Sequence, residues 1–143
     1  MLTRLREIVE KVAAAASLTD ALDLLVNETC LAMDTEVCSI YLADNDRRCY
    51  YLMATRGLKK PRGRTIALAF DEGVVGLVGR RAEPINLADA QSHPSFKYVP
   101  QVKEDRFRSF LGVPIIHRRQ LLGVLVVQQR ELRQFDESEE SFM

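Results

Sequence analysis

Three glycines recur every third residue in Phe70-Asp71-Glu72-Gly73-Val74-Val75-Gly76-Leu77-Val78-Gly79. At helical pitch that spacing leaves one face without side chains. A helix with such a face can bring its backbone very close to a sheet or to a ligand. Asp71 and Glu72 stand where an N-cap and first-turn acids belong. Arg80-Arg81 suit the C-terminal end of the helix dipole, and Pro84 stops the helix. The pattern predicts a short helix from about Gly73, pressed against a neighbour through its glycine face, and then a short strand at Ile85-Asn86-Leu87. Glycines before a helix can also cradle phosphate. Neither G-x-G-x-x-G nor G-x-x-x-x-G-K-[ST] is present, which favours a packing helix that roofs a pocket.

The chain has 143 residues, the size of one domain, and 47% of them are hydrophobic, enough for one core. Its formal net charge is zero, so no global field draws it to nucleic acid or to an anionic membrane. No apolar run reaches the ~20 residues of a membrane span. Met1-Leu2-Thr3-Arg4 lacks the apolar core of a signal peptide. Cys30, Cys38 and Cys49 form no C-x-x-C pair, and an odd count without a secretion signal reads as reduced cytoplasmic thiols.

Leu2, Leu5, Val9, Val12 and Ala16 recur at helical spacing, so residues 2–16 are expected to form a helix that packs on a partner chain or on its own domain. Ser17-Leu18-Thr19-Asp20 is a capping-box pattern with Asp in the Glu/Gln position. It opens a second helix to about Met33, with Leu18, Leu22, Leu25, Val26, Thr29 and Met33 inward. Residues 36–43 then switch to period two, with Val37, Ser39, Tyr41 and Ala43 on one face and Cys38, Ile40 and Leu42 on the other. Both faces are largely apolar, which predicts a central strand covered on both sides. Asp44-Asn45-Asp46-Arg47-Arg48 is a turn by composition, and residues 49–55 return.

Lys59-Lys60-Pro61-Arg62-Gly63-Arg64 is the basic run of the chain, broken by Pro and Gly and without interleaved aromatics, and reads as a solvated loop. Residues 65–70 form a strand feeding the glycine helix. Residues 89–108 lack strong periodicity and carry His93-Pro94, Val99-Pro100, Phe96, Tyr98 and Phe107; a loop with a helical turn near 102–106 is expected to close a pocket from one side. Residues 109–117 and 120–129 form the clearest hairpin, with His117-Arg118-Arg119-Gln120 as its turn and a bulge or edge position at Pro114. Asp136-Glu137-Ser138-Glu139 looks like the start of a further helix cut short at Met143. The expectation is therefore one domain over residues 1–143 with a truncated C-terminal helix, taken from a longer protein.

Catalytic signatures are weak. His93 and His117 stand apart, no cluster has metal-ligand spacing, and neither G-x-S-x-G nor a Cys–His pair occurs. The reading is a binding module, with no catalytic residue and no metal. A sheet facing the glycine helix would enclose an apolar gap into which polar residues point to orient a small ligand. Candidates are Ser39 and Tyr41 on the central strand, Asn86, Asp89 and Gln91 after the glycine helix, and Asp105, Arg108 and Ser109 at the far wall. An Arg beside such a pocket suits a carboxylate, since it can bond both oxygens.

In order along the chain, Glu36-Val37-Cys38-Ser39-Ile40-Tyr41-Leu42, Glu72-Gly73-Val74-Val75-Gly76, Ile85-Asn86-Leu87-Ala88-Asp89-Ala90, His93-Pro94-Ser95-Phe96, Phe110-Leu111-Gly112-Val113-Pro114-Ile115 and Leu121-Leu122-Gly123-Val124-Leu125 resemble a GAF domain. The resemblance covers about residues 3–143. It implies an α+β fold: a central antiparallel sheet of about six strands, terminal helices on one face, and a ligand pocket roofed by short helices and loops on the other. By analogy with cyclic-nucleotide GAF domains, Ser39, Val74, Val75, Gln91 and Ser109 fall on pocket-wall positions, and Phe96 joins the candidate ligand-binding set. Gln91 replaces an aromatic residue often found there, which removes a platform for a purine.

Residues 50–64, Tyr50-Tyr51-Leu52-Met53-Ala54-Thr55-Arg56-Gly57 onward, and residues 121–133 look very like the N-terminal GAF domain of the Enzyme I family of the nitrogen-related phosphotransferase system. These are bacterial phosphoenolpyruvate–protein phosphotransferases. The resemblance implies a parent that moves a phosphoryl group from phosphoenolpyruvate to its own histidine with Mg²⁺ and then to a small histidine-containing phosphocarrier protein. None of that machinery, and no cofactor, is expected in this chain. The resemblance also implies nitrogen sensing through glutamine, with 2-oxoglutarate in opposition. The glutamine α-carboxylate would meet Arg108, its ammonium Asp89 or Asp105, and its amide Ser39, Asn86 or Gln91. Alternatives are a cyclic-nucleotide site, a free methionine sulfoxide reductase, for which Cys30, Cys38 and Cys49 stand in the wrong elements, and a dimerisation module with a vestigial pocket. A homodimer through the terminal helices is expected.

Overall fold

Ser17 opens the first helix of the computed structural model, which describes residues 17–58, 66–88, 108–130 and 133–137. The expected helix 2–16, the basic loop 59–64, the irregular segment 89–107 and all but the first residues of the C-terminal helix lie outside them. Helix α1 spans Leu18–Met33. The Asp20 N–H donates to Ser17 Oγ at 3.1 Å, the N-cap bond that the capping box predicts. Leu22, Val26, Thr29, Cys30 and Met33 are buried at helical spacing. Leu18, expected inward, is instead 65% exposed. It is the first residue past the cap, one turn short of Leu22, where the buried stripe begins.

Six strands follow: β1 (Val37–Asp44), β2 (Cys49–Arg56), β3 (Ala67–Ala69), β4 (Ile85–Leu87), β5 (Ser109–His117) and β6 (Gln120–Gln129). They form one sheet in the order β3-β2-β1-β6-β5-β4, with every pair antiparallel. β1 lies between β2 and β6 and is covered on both sides, as its two apolar faces require. β3 is shorter than the expected strand 65–70. Pro114 falls beyond the reach of β4, which pairs with β5 only from Ile85↔Gly112 to Leu87↔Phe110. Its missing N–H therefore costs no ladder bond on that side, and a register shift follows at Ile115/Ile116.

The glycine helix, α2, spans Gly73–Arg81. Glu72 occupies its N-cap without capping it through the side chain; instead its Oε1 accepts from the Ala69 N–H at 3.2 Å, tightening the turn from β3. The bare face meets protein on two sides. A Cβ at Gly76 would come within 2.6 Å of the Phe70 carbonyl oxygen, and one at Gly79 would overlap the Tyr50 hydroxyl. The glycine spacing therefore serves close packing of α2 on its own leading turn and on β2. Arg80 Nη1 donates to the Phe70 carbonyl at 3.0 Å and ties the last turn of α2 back to its start.

Two apolar cores lie on opposite faces of the sheet. On one, Val74, Val75, Leu77 and Val78 of α2 pack on Val37, Tyr41, Tyr50, Leu52, Phe110, Val124 and Val126. On the other, Leu22, Val26, Cys30 and Met33 of α1 pack on Cys38, Ile40, Leu111, Val113, Leu125 and Val127, joined by Phe135. Burying one side chain of this size contributes about 1.5–3 kcal/mol, so each layer of packing carries a large share of the fold. Cys30 and Cys38 are buried free thiols. Burial pushes both up from the ordinary thiol range, Cys38 most.

Candidate functional site

Alternation along β1 assigns its side chains. Val37 and Tyr41 belong to the α2-side core, Cys38 and Ile40 to the α1-side core, so Ser39 faces α2. Ser39 is fully buried, and its hydroxyl lies 2.7 Å from that of Thr55, directly opposite on β2; either can donate. Thr55 Oγ1 also lies 3.5 Å from the Cys38 carbonyl, a second acceptor. On the other side of β1, β6 places Val124 and Val126 in the same core, and the same parity brings Gln128 to that face beside Val37 and Phe110. Gln128 is 2% exposed. Ser39, Thr55 and Gln128 are thus a polar patch set into an otherwise apolar face.

Tyr41 lies two residues along β1 from Ser39 and shares its face, 2% exposed. Val74 and Val75 of α2 are buried in the same core. The structure therefore brings four of the candidates, Ser39, Tyr41, Val74 and Val75, to one face. Thr55 and Gln128 were missed by sequence reasoning. The signal for Gln128 was a polar residue ending the run Val124-Leu125-Val126-Val127 at the parity of Val124 and Val126. Thr55 becomes visible only through its register with Ser39.

Three other candidates go elsewhere. Asn86 alternates with Ile85 and Leu87, both on the α2 side, so it faces α1; its Nδ2 donates to the Phe135 carbonyl at 2.5 Å and its Oδ1 accepts from the Phe135 N–H at 3.3 Å. Ser109 precedes Phe110, which faces α2, so it too faces α1, where its hydroxyl donates to the Gln129 carbonyl at 3.2 Å. Both are occupied in holding backbone. Arg108 is exposed and bonds the Gln129 carbonyl through its backbone N–H at 2.8 Å. Asp89, Gln91, Phe96 and Asp105 lie outside the described residues.

The polar patch is built of hydroxyls and a carboxamide, groups that donate and accept without charge. It can orient a small polar molecule by hydrogen bonds inside an apolar enclosure. The Tyr50 phenol, on the same face towards the other end of β2, is pushed up from its ordinary value by burial, with Arg80 opposing. Among the described residues, no three His, Cys, Asp or Glu side chains come together as a metal site. No helix among them is long and apolar enough to cross a membrane.

The GAF domain family model matches residues 17–143. A curated protein of Salmonella typhimurium, described as phosphoenolpyruvate-dependent phosphotransferase system, is 84% identical over all 143 residues. The chain spans only 19% of that relative's length. The solved GAF domain of a phosphoenolpyruvate-protein phosphotransferase from Coxiella burnetii is 47% identical, with a TM-score of 0.91 over 99% of this chain and 84% of that one. Free methionine-R-sulfoxide reductase of Neisseria meningitidis, solved with its substrate, matches at 23% identity and a TM-score of 0.81 over 96% of this chain and 78% of its own. At that identity the likeness is one of fold.

Proposed function

The chain belongs to the GAF domain family, of the kind carried by phosphoenolpyruvate-dependent phosphotransferase-system proteins, and from that premise we propose that it is a regulatory sensor of glutamine, with 2-oxoglutarate in opposition. The polar patch of buried Ser39 and Gln128 with half-buried Thr55 supports this reading. Buried hydroxyls and amides in an apolar wall give direction to a ligand that carries an amide. The thiols of Cys30 and Cys38 face the opposite core, which favours a sensor over a thiol enzyme on the same fold. In this reading the whole protein is a cytoplasmic phosphotransferase that uses phosphoenolpyruvate and Mg²⁺, passes phosphate to a histidine-containing carrier protein, and pairs as a homodimer through terminal helices. The glutamine amide meets Ser39, Thr55 and Gln128.

The test is a thermal shift of the domain against glutamine, 2-oxoglutarate, cyclic AMP and cyclic GMP. A ligand at about 100 times its Kd adds roughly 2.7 kcal/mol, several degrees for a domain of this size. A shift with glutamine that Gln128→Leu abolishes is the expected result. A shift with a cyclic nucleotide instead replaces glutamine as the ligand. Absence of a shift with all four overturns the sensing reading.

A further inference from the structure

Asn86 spends both ends of its amide on one residue. Nδ2 donates to the Phe135 carbonyl at 2.5 Å, and the Phe135 N–H donates back to Oδ1 at 3.3 Å. The two residues are 49 apart in sequence. Phe135 is 3% exposed, with its ring in the α1-side core. Arg133 fixes the same stretch from another side. Its Nη1 donates to the Asp34 carbonyl at 3.2 Å and to Gln129 Oε1 at 3.0 Å, and its Nη2 to the Met33 carbonyl at 3.4 Å. The guanidinium carbon stands 4.6 Å from the centroid of the Phe135 ring. Met33 and Asp34 end α1, where unpaired carbonyls and the helix dipole favour a cation.

Residues 133–135 are thus tied to two anchors. One is the end of α1 and β6, deep in the α1-side core. The other is β4, a three-residue strand at the end of the sheet order that pairs, among the described residues, with Phe110, Leu111 and Gly112 of β5. β4 follows α2 after a short turn, and its Ile85 and Leu87 pack in the α2-side core. Asn86 therefore joins an edge strand that packs in the α2-side core to a chain segment on the opposite face of the sheet.

We propose that Asn86 is a latch that makes the placement of the chain at and after Phe135 depend on the seating of β4. With β4 seated, both bonds close and Phe135 stays in the core. With β4 displaced, both bonds open together, while the Arg133 bonds remain. The latch does not depend on what displaces β4, so it stands apart from the sensing reading.

The test is amide hydrogen exchange by NMR on the whole 143-residue chain, read at Phe135, whose N–H is itself one of the two bonds, and normalised to Val127 in the core. Four proteins are compared: wild type, Asn86→Ala, Ile85→Val and the double variant. Ile85→Val removes one methyl from the α2-side core and loosens β4 without touching the amide; such a change costs little enough that the fold persists. Losing two modest hydrogen bonds is expected to speed exchange at Phe135 about tenfold in Asn86→Ala. Ile85→Val is expected to speed it a few-fold when Asn86 is present and not at all when it is absent. The proposal is overturned if the two effects simply multiply, if Asn86→Ala leaves Phe135 at the wild-type rate, or if Phe135 accelerates only in step with Val127.

Discussion

Tyr50 and Gly79 fit as a complementary pair: the phenol from β2 fills the bare face of α2, and a Cβ on Gly79 would come within 2.9 Å of its Cζ and overlap its hydroxyl. Gly79→Ala sets two effects against each other. Alanine in a helix interior ordinarily gains about 1 kcal/mol over glycine, whereas overpacking a tight core costs about 1–3 kcal/mol. The clash is with a ring held in the core, not a free side-chain end, so loss prevails. Urea unfolding of Gly79→Ala should show a net loss of up to about 2 kcal/mol. Adding Tyr50→Phe, which removes the nearest atom, should restore part of it.

Stability should fall on the alkaline side. Cys30, Cys38 and Tyr50 all have their proton affinity raised in the folded state, chiefly by burial. The folded chain thus holds protons that the unfolded chain gives up. The stabilisation is complete below the unfolded thiol and phenol values, and it is lost as pH rises past about 9 and then 10. Urea midpoints at pH 8, 9.5 and 10.5 should decline steadily. Cys38→Ala should flatten the first part of that decline.

The β5–β6 turn carries removable strain. Arg118 and Arg119 both adopt positive φ, at 51° and 65°, between the paired residues His117 and Gln120. That backbone suits Asn-Gly, and a side-chain residue held there costs roughly 1–2 kcal/mol. Glycine returns some of the gain as unfolded-state entropy. Arg118→Asn with Arg119→Gly should stabilise the domain by about 1 kcal/mol, seen as a higher urea midpoint at unchanged m-value.

The hydroxyl pair of Ser39 and Thr55 offers a way to separate binding from folding. Ser39→Ala alone leaves Thr55 with the Cys38 carbonyl at 3.5 Å as its remaining partner and should cost about 1 kcal/mol. Ser39→Ala with Thr55→Val removes both groups at similar shape, so stability should return close to wild type. Ligand affinity by calorimetry should stay reduced in the double variant.

Elements set by local rules were legible in the residues. α1 followed from the Ser17 cap and helical spacing up to Met33, and the β5–β6 hairpin from two Val- and Ile-rich runs. The central position of β1 followed from its two apolar faces. What the sequence left open was register. Asn86 reads as a polar residue beside a pocket until its partner, 49 residues on, is known. Ser109 changes face with the parity of one neighbour, Phe110, and Thr55 matters only because a bulge between Ile40 and Tyr41 leaves it opposite Ser39. A one-residue slip moves a strand's side chains to the other face, so a site on a sheet is decided by long-range pairing that no local pattern encodes.

The two outermost strands, β3 and β4, are each three residues long, whereas the four between them run from eight to ten. Unpaired N–H and C=O groups along a long outer strand invite another chain to add on, and very short outer strands are one way proteins blunt that hazard. Among the described residues the longest ladders are enclosed, and each border strand offers a few backbone groups. Extension of the sheet from copy to copy is thereby disfavoured. The route to fibrous aggregation through these two border strands is short of template.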